Sequence, residues 1–167
     1  MSSPLRTGSA NEACAGIRDL RWLLTRLVDE APGIRSVAVV SSDGLPLLSS
    51  VVSGPAGPPS LPEELPAGPE GASADLSTVV SGIAGLTTGA AALMDAGRVE
   101  QVLVAMETGS LVVMAISDGS LLGVHTAPVA DLAIVTYHMA RFVGRAGHLL
   151  TPQLRAALQQ DGPEVRG

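Results

Sequence analysis

VEQVLVAMETGSLVVMAISDGSLLGVHT, residues 99–126, alternates runs of Val, Leu, Ile and Met with short breaks that contain glycine. Val99–Met106, Leu111–Ser117 and Leu121–Thr126 have the length and β-branched content of strands. The breaks Thr108-Gly109 and Asp118-Gly119 place glycine where a tight turn needs a positive φ. Three strands joined so closely form an antiparallel meander. Upstream, Ile34–Val40 and Leu45–Val52 flank Ser41-Ser42-Asp43-Gly44, a second hairpin signal. Pro46 has no N–H for a ladder, which sends its strand towards a sheet edge.

Helices surround these strands. Ile17, Leu20, Leu24, Leu27 and Val28 recur at helical spacing between Gly16 and Ala31, and Pro32-Gly33 ends that segment. Leu76, Val79, Val80, Ile83, Leu86, Ala90, Leu93 and Met94 mark a second helix, and Leu132, Val135, Met139, Phe142 and Val143 a third that starts at Pro128–Asp131 and ends near Gly147. The order α-β-β-α-β-β-β-α predicts an α/β (α+β) domain, a five-stranded antiparallel sheet with helices packed against it. Residues 1–14 read as a mobile tail, 15–150 as the single domain, and 151–167 as a tail carrying at most a short helical turn around Leu154 and Leu158. Within the domain, 53–74 holds six prolines among many glycines, which blocks helix and ladder alike and predicts a flexible insert.

Composition narrows the chemistry. Apolar residues make up 46% and charged residues 16% of the 167, so the chain must bury a large apolar surface. Aromatic residues are 2%, namely Trp22, Tyr137 and Phe142. All ten basic residues are arginine, which removes the P-loop lysine and Schiff-base catalysis. A formal charge of −6 without a cluster of arginines and aromatics argues against nucleic acid as a partner. Cys14 is the single cysteine and has no internal disulfide partner, in keeping with a reducing cytosol. Residues 1–12 contain no apolar core for a signal peptide, so none is expected.

Leu76–Met94 is free of charge over a length that spans a bilayer, yet it is interrupted by Ser77, Thr78, Ser81, Thr87, Thr88, Gly82, Gly85 and Gly89 and flanked by Asp75 and Asp95. Membrane insertion is not expected. Gly82, Gly85 and Gly89 lack the Gly-x-Gly start of a dinucleotide cradle and sit inside a helical pattern, where small residues let another backbone approach. His125, His138 and His148 have no metal-ligand spacing, and no Gly-x-Ser-x-Gly elbow raises a serine nucleophile. Asp43, Asp118 and Glu107 read as solvated carboxylates, and Arg18, Arg21, Arg98 and Arg141 as surface cations. No catalytic residue, cofactor or metal follows.

Several stretches in this order resemble the roadblock family, named for dynein light chains, and most closely its bacterial members encoded in conservon-type operons. They are Trp22–Val28 with Pro32-Gly33, Ser41–Pro46, Gly97–Val102, Ile116–Leu122 and Gly147–Pro152. The long Pro/Gly insert departs from that pattern. The resemblance implies a roadblock/profilin-like fold and a homodimer in which second helices lie side by side and third strands join two sheets. Gly82, Gly85, Gly89, Val99, Val102 and Val104 would line that interface, with Ser77, Thr78, Ser81 and Thr88 on a partner-facing side of the helix. It further implies a Ras-like small GTPase as partner, regulated through its own switch residues, alongside a sensor-kinase-like protein. A non-catalytic scaffold is the alternative, and a small-molecule sensor, which needs a closed apolar pocket, is the alternative of another class. A cytoplasmic location is expected, with any recruitment to a membrane complex left to partners.

Overall fold

The computed structural model describes residues 7–51 and 72–161. Strands β1 (Ile34–Val40), β2 (Pro46–Val51), β3 (Gln101–Met106), β4 (Gly109–Ala115) and β5 (Leu121–Thr126) pair antiparallel throughout, in the order β2-β1-β5-β4-β3. The last strand of the meander thus inserts beside the first hairpin. β2, with Pro46, is one edge and β3 is the other.

Both Asp-Gly turns form as expected. Gly44 has φ 86° and Gly119 φ 89°, conformations that L side chains rarely adopt. Ser41 Oγ donates to Asp43 and accepts from the Leu45 N–H, while Asp118 accepts from Ser120 N–H at 3.0 Å and Ser120 Oγ at 2.8 Å. Gly109 answers a different need. A Cβ there would lie 2.1 Å from the Thr126 carbonyl oxygen, so only glycine lets β4 and β5 approach at that register.

Side-chain alternation divides the sheet into two unlike faces. Val37, Val39, Val112, Met114, Leu122 and Val124 join the larger core with α1 (Thr7–Glu30), α3 (Leu132–Leu149) and α4 (Pro152–Asp161). Ala38, Val40, Leu111 and Val113 form a smaller core under α2 (Ala72–Leu93) alone. Gly123 fixes the depth of α2, since a Cβ would stand 2.2 Å from a Val80 methyl.

The ends of the chain are more structured than the tails expected for them. α1 begins at Thr7, so positions 7–14 are helical; this stretch lacks proline and contains Ala10 and Ala13, good helix formers. Positions 1–6 lie outside the described residues. α4 belongs to the domain, which therefore extends past 150. Leu154 and Leu158, four residues apart, are each 2% exposed in the larger core, and Leu154 Cδ1 would stand 3.2 Å from a Cβ on Gly16 of α1. Of the insert expected over 53–74, positions 53–71 lie outside the described residues and 72–74 already belong to α2.

α3 starts where Asp131 caps it: one carboxylate oxygen accepts the Ala133 N–H at 2.9 Å. Asp131→Ala is expected to lower stability by about 1 kcal/mol, read as a shifted denaturation midpoint at unchanged slope.

Candidate interaction site

α2 carries no charged residue from Leu76 to Leu93 and is apolar nearly all round, so its sequence period did not reveal which side is buried. The sheet side consists of Ser77, Val80 and Ala91, with Leu76, Ile83, Ala84 and Thr87 half-buried. Large apolar side chains remain on the outer side: Leu86 is 77% exposed and Leu93 91%.

Val79, Gly82, Leu86, Gly89 and Leu93 are spaced by three, four, three and four residues along this exposed side. That 3.5-residue repeat is the seam along which one helix meets another. A Cβ built on Gly82, Gly85 or Gly89 meets nothing within 4 Å. The glycines are therefore not required by any contact inside the described chain. Gly82 and Gly85 precede Leu86 and Gly89 lies between Leu86 and Leu93, so they leave gaps beside the exposed leucines of a kind that admits close approach of another helix. The nearby hydroxyls are already satisfied within the helix, Thr87 Oγ1 donating to the Ile83 carbonyl and Ser81 Oγ to that of Ser77, both at 2.8 Å. Covering them removes no unsatisfied donor from water.

Several interface assignments read from the sequence change. Ser77 is 2% exposed and lies on the sheet side, so it does not face a partner; helix geometry sets it one turn from Val80 and Ser81. Ser81 is half-buried beside Gly44. Thr78 and Thr88 are exposed. Val102 and Val104 are half-buried against the small core beneath α2 rather than turned outward, because β3 pairs Val104 with Leu111 and Val102 with Val113. Val99 and Val102 border a cleft against Thr87 and Thr88 of only about 30 Å³, room for a water and not for an organic ligand. Leu103 and Met106 are the half-exposed apolar side chains of β3, and the sequence pattern offered no sign of them.

Because β3 pairs with β4 alone, its other edge presents backbone N–H and C=O groups without a ladder partner. The chain thus carries an uncharged apolar helix face and an open strand edge at the same side of the sheet.

The titratable groups lie elsewhere. On the opposite face, Glu30 of α1 accepts from Arg26 Nε at 2.8 Å and stands 3.2 Å from His138 Nδ1 and 3.8 Å from Arg141 Nη1 of α3. The Arg26 hydrogen bond, opposed by desolvation and aided by the nearby cations, holds the Glu30 carboxyl below its ordinary value. A depressed carboxylate pKa stabilises the fold above its unfolded value, and this support disappears as pH falls through the folded one. A carboxyl-detected NMR titration is expected to show Glu30 protonating below the ordinary glutamate value. His125, partly buried beside Arg35, has its pKa lowered by desolvation first and by that arginine second. Among the described residues no three His, Cys, Asp or Glu side chains gather as a metal site.

A five-stranded sheet in this order, bare of all but one helix on one face, defines a roadblock-type fold. The family model of the Roadblock/LC7 domain matches residues 67–126, from before α2 to the end of β5. Among solved structures, the chain is similar to the Roadblock/LC7 domain from Streptomyces avermitilis. They share 26% identity over 78% of this chain and 97% of that one, with a TM-score of 0.62. Its fold is also similar to that of the gliding protein MglB from Thermus thermophilus, at 21% identity, 81% and 90% coverage and a TM-score of 0.65. MglB in a tetrameric arrangement gives 20% identity with the same coverage and TM-score. No curated protein matches the chain. The family match covers less than half of the chain, and together with the fold it identifies a roadblock-type domain.

Proposed function

We propose that this chain is a homodimeric regulator of a Ras-like small GTPase, acting by holding the GTPase's own switch residues and contributing no catalytic side chain. The observation that carries this reading is the uncharged seam Val79-Gly82-Leu86-Gly89-Leu93 beside the open edge of β3. Antiparallel apposition of two α2 helices would set Leu86 of one protomer against the glycine gaps of the other, and pairing of two β3 edges would join the sheets. The Roadblock/LC7 match over residues 67–126 and the fold shared with MglB, named as a gliding protein, support a regulatory role. The GTPase as partner rests on the sequence resemblance.

GTP turnover by a Ras-like small GTPase of the same organism, measured with and without this chain and paired with a binding titration in both nucleotide states, tests the proposal. Binding with accelerated hydrolysis is the expected result. Binding without acceleration favours a scaffold, and no binding to either nucleotide state rejects the GTPase as partner.

A further inference from the structure

The two Asp-Gly turns meet at one end of the sheet. A Cβ on Gly119 would stand 3.5 Å from that of Ser42, an ordinary van der Waals contact, so the β1–β2 turn and the β4–β5 turn rest on one another. Each turn carries a carboxylate, Asp43 in the first and Asp118 in the second. Hydrogen bonds from Ser41 and Ser120 fix where these carboxylates stand.

The same turns touch elements on both faces of the sheet. On the α2 side, a Cβ on Gly44 would lie 3.4 Å from Ser81 Oγ. On the opposite side α4 brings Arg155, whose Nε is 3.7 Å from Asp118 Oδ2. The guanidinium also acts on Asp43: hydrogen bonds from Ser41 and from the backbone hold that carboxyl below its ordinary value against desolvation, and Arg155 adds to them. Arg155 Nε is buried and makes no hydrogen bond among the described residues, so its contact with Asp118 is one of charge and not of a directed hydrogen bond. The Asp118 side chain is 10% exposed and that of Arg155 27%, which limits screening by salt.

We infer that Arg155 is a positioning residue for α2: its cation holds the Asp43 and Asp118 turns together, and the Asp43-Gly44 turn holds the Ser81 segment of α2 in place from the far side of the sheet. Without that charge, two carboxylates on touching turns repel each other, and separating the turns shifts Gly44 against Ser81. α2 is easily displaced. Ser77, Val80 and Ala91 are its buried residues among those described, and Gly82, Gly85 and Gly89 weaken the helix itself. Because the seam Val79–Leu93 lies on this helix, α4 on one face would tune self-association on the other. That consequence rests on the proposed dimer, whereas the hold on α2 exists within a single chain.

Amide hydrogen exchange on the full chain compares the parent with Arg155→Met, Arg155→Lys and the double variant Arg155→Met/Asp43→Asn. Exchange of the α2 amides from Ser81 to Gly85 is expected to be about fivefold faster in Arg155→Met, while the α3 amides from Val135 to Phe142 change by less than about twofold. Lysine keeps the charge and asparagine removes the repulsion, so both other variants are expected within about twofold of the parent, a rescue that a packing role for Arg155 would not show. The dimer dissociation constant of Arg155→Met is expected to rise by about the same factor as its α2 exchange. A monomeric parent would reject the dimer and leave the exchange rates to decide the role of Arg155. If Arg155→Met does not fold, folding restored by Asp43→Asn supports the role of charge, and folding lost in both overturns it. The inference is also overturned by α2 exchange within about twofold of the parent, by an acceleration that α3 shares equally, or by rescue variants that exchange as fast as Arg155→Met.

Discussion

Gly85→Arg is expected to yield a protein that keeps its secondary structure and loses its self-association. A Cβ at Gly85 meets nothing within 4 Å, so the side chain extends into open space without moving α2. Arginine also favours the helix interior over glycine by close to 1 kcal/mol, which stabilises the isolated protomer. In the paired state the same side chain would force a charge and its long stem into a seam built from glycine and leucine, with no carboxylate on α2 between Leu76 and Leu93 to receive it. The two effects have opposite signs and can be measured separately. Unfolding of a dimer depends on concentration by mass action, so the parent Tm is expected to rise as the protein is concentrated, while the variant Tm stays constant. A variant that remains dimeric with a concentration-dependent Tm would place the interface elsewhere.

The second large effect is on folding itself. Phe142 of α3 is 3% exposed and belongs to the core shared by α1, α3, α4 and the sheet. Phe142→Ala removes the one buried aromatic side chain and is expected to destabilise the protein by about 3–5 kcal/mol, out of roughly 5–15 kcal/mol for a domain of this size. Guanidinium unfolding is expected to show the midpoint falling accordingly. A change below about 1 kcal/mol would mean that the core collapses around the gap, or that α3 is not packed as described.

Local chemistry was easy to read, and long-range placement was not. Asp43-Gly44 and Asp118-Gly119 specify their turns by backbone sterics, and Asp131 specifies a helix start by its carboxylate, so each element appears close to where the sequence puts it. Leu154 and Leu158 gave only a spacing of four. What makes α4 part of the domain is the contact of Leu154 with Gly16, more than a hundred residues away. The insertion of β5 beside β1 likewise depends on packing that no local signal encodes.

The candidate surface was half legible. Three glycines in a charge-free helix pointed to close approach by another backbone, and within the described chain the space around them is empty. Leu86 and Leu93 share the apolar period of Val80 and Ile83, so that period marks the helix without saying which side is buried. On a helix apolar all round, only the position of the sheet decides which residues remain outside. Trp22 belongs to the helical repeat of α1 but not to its buried stripe, so its contact with Arg26 required the structure.

The central claim is that the bare face of α2 is a self-interface, and the mass of the protein in solution tests it most directly. Sedimentation equilibrium at micromolar concentration is expected to give about 34 kDa, twice the 16.9 kDa of one chain. A mass of 16.9 kDa maintained across the micromolar range would contradict the account, leaving the Leu86–Leu93 seam without the partner its chemistry requires.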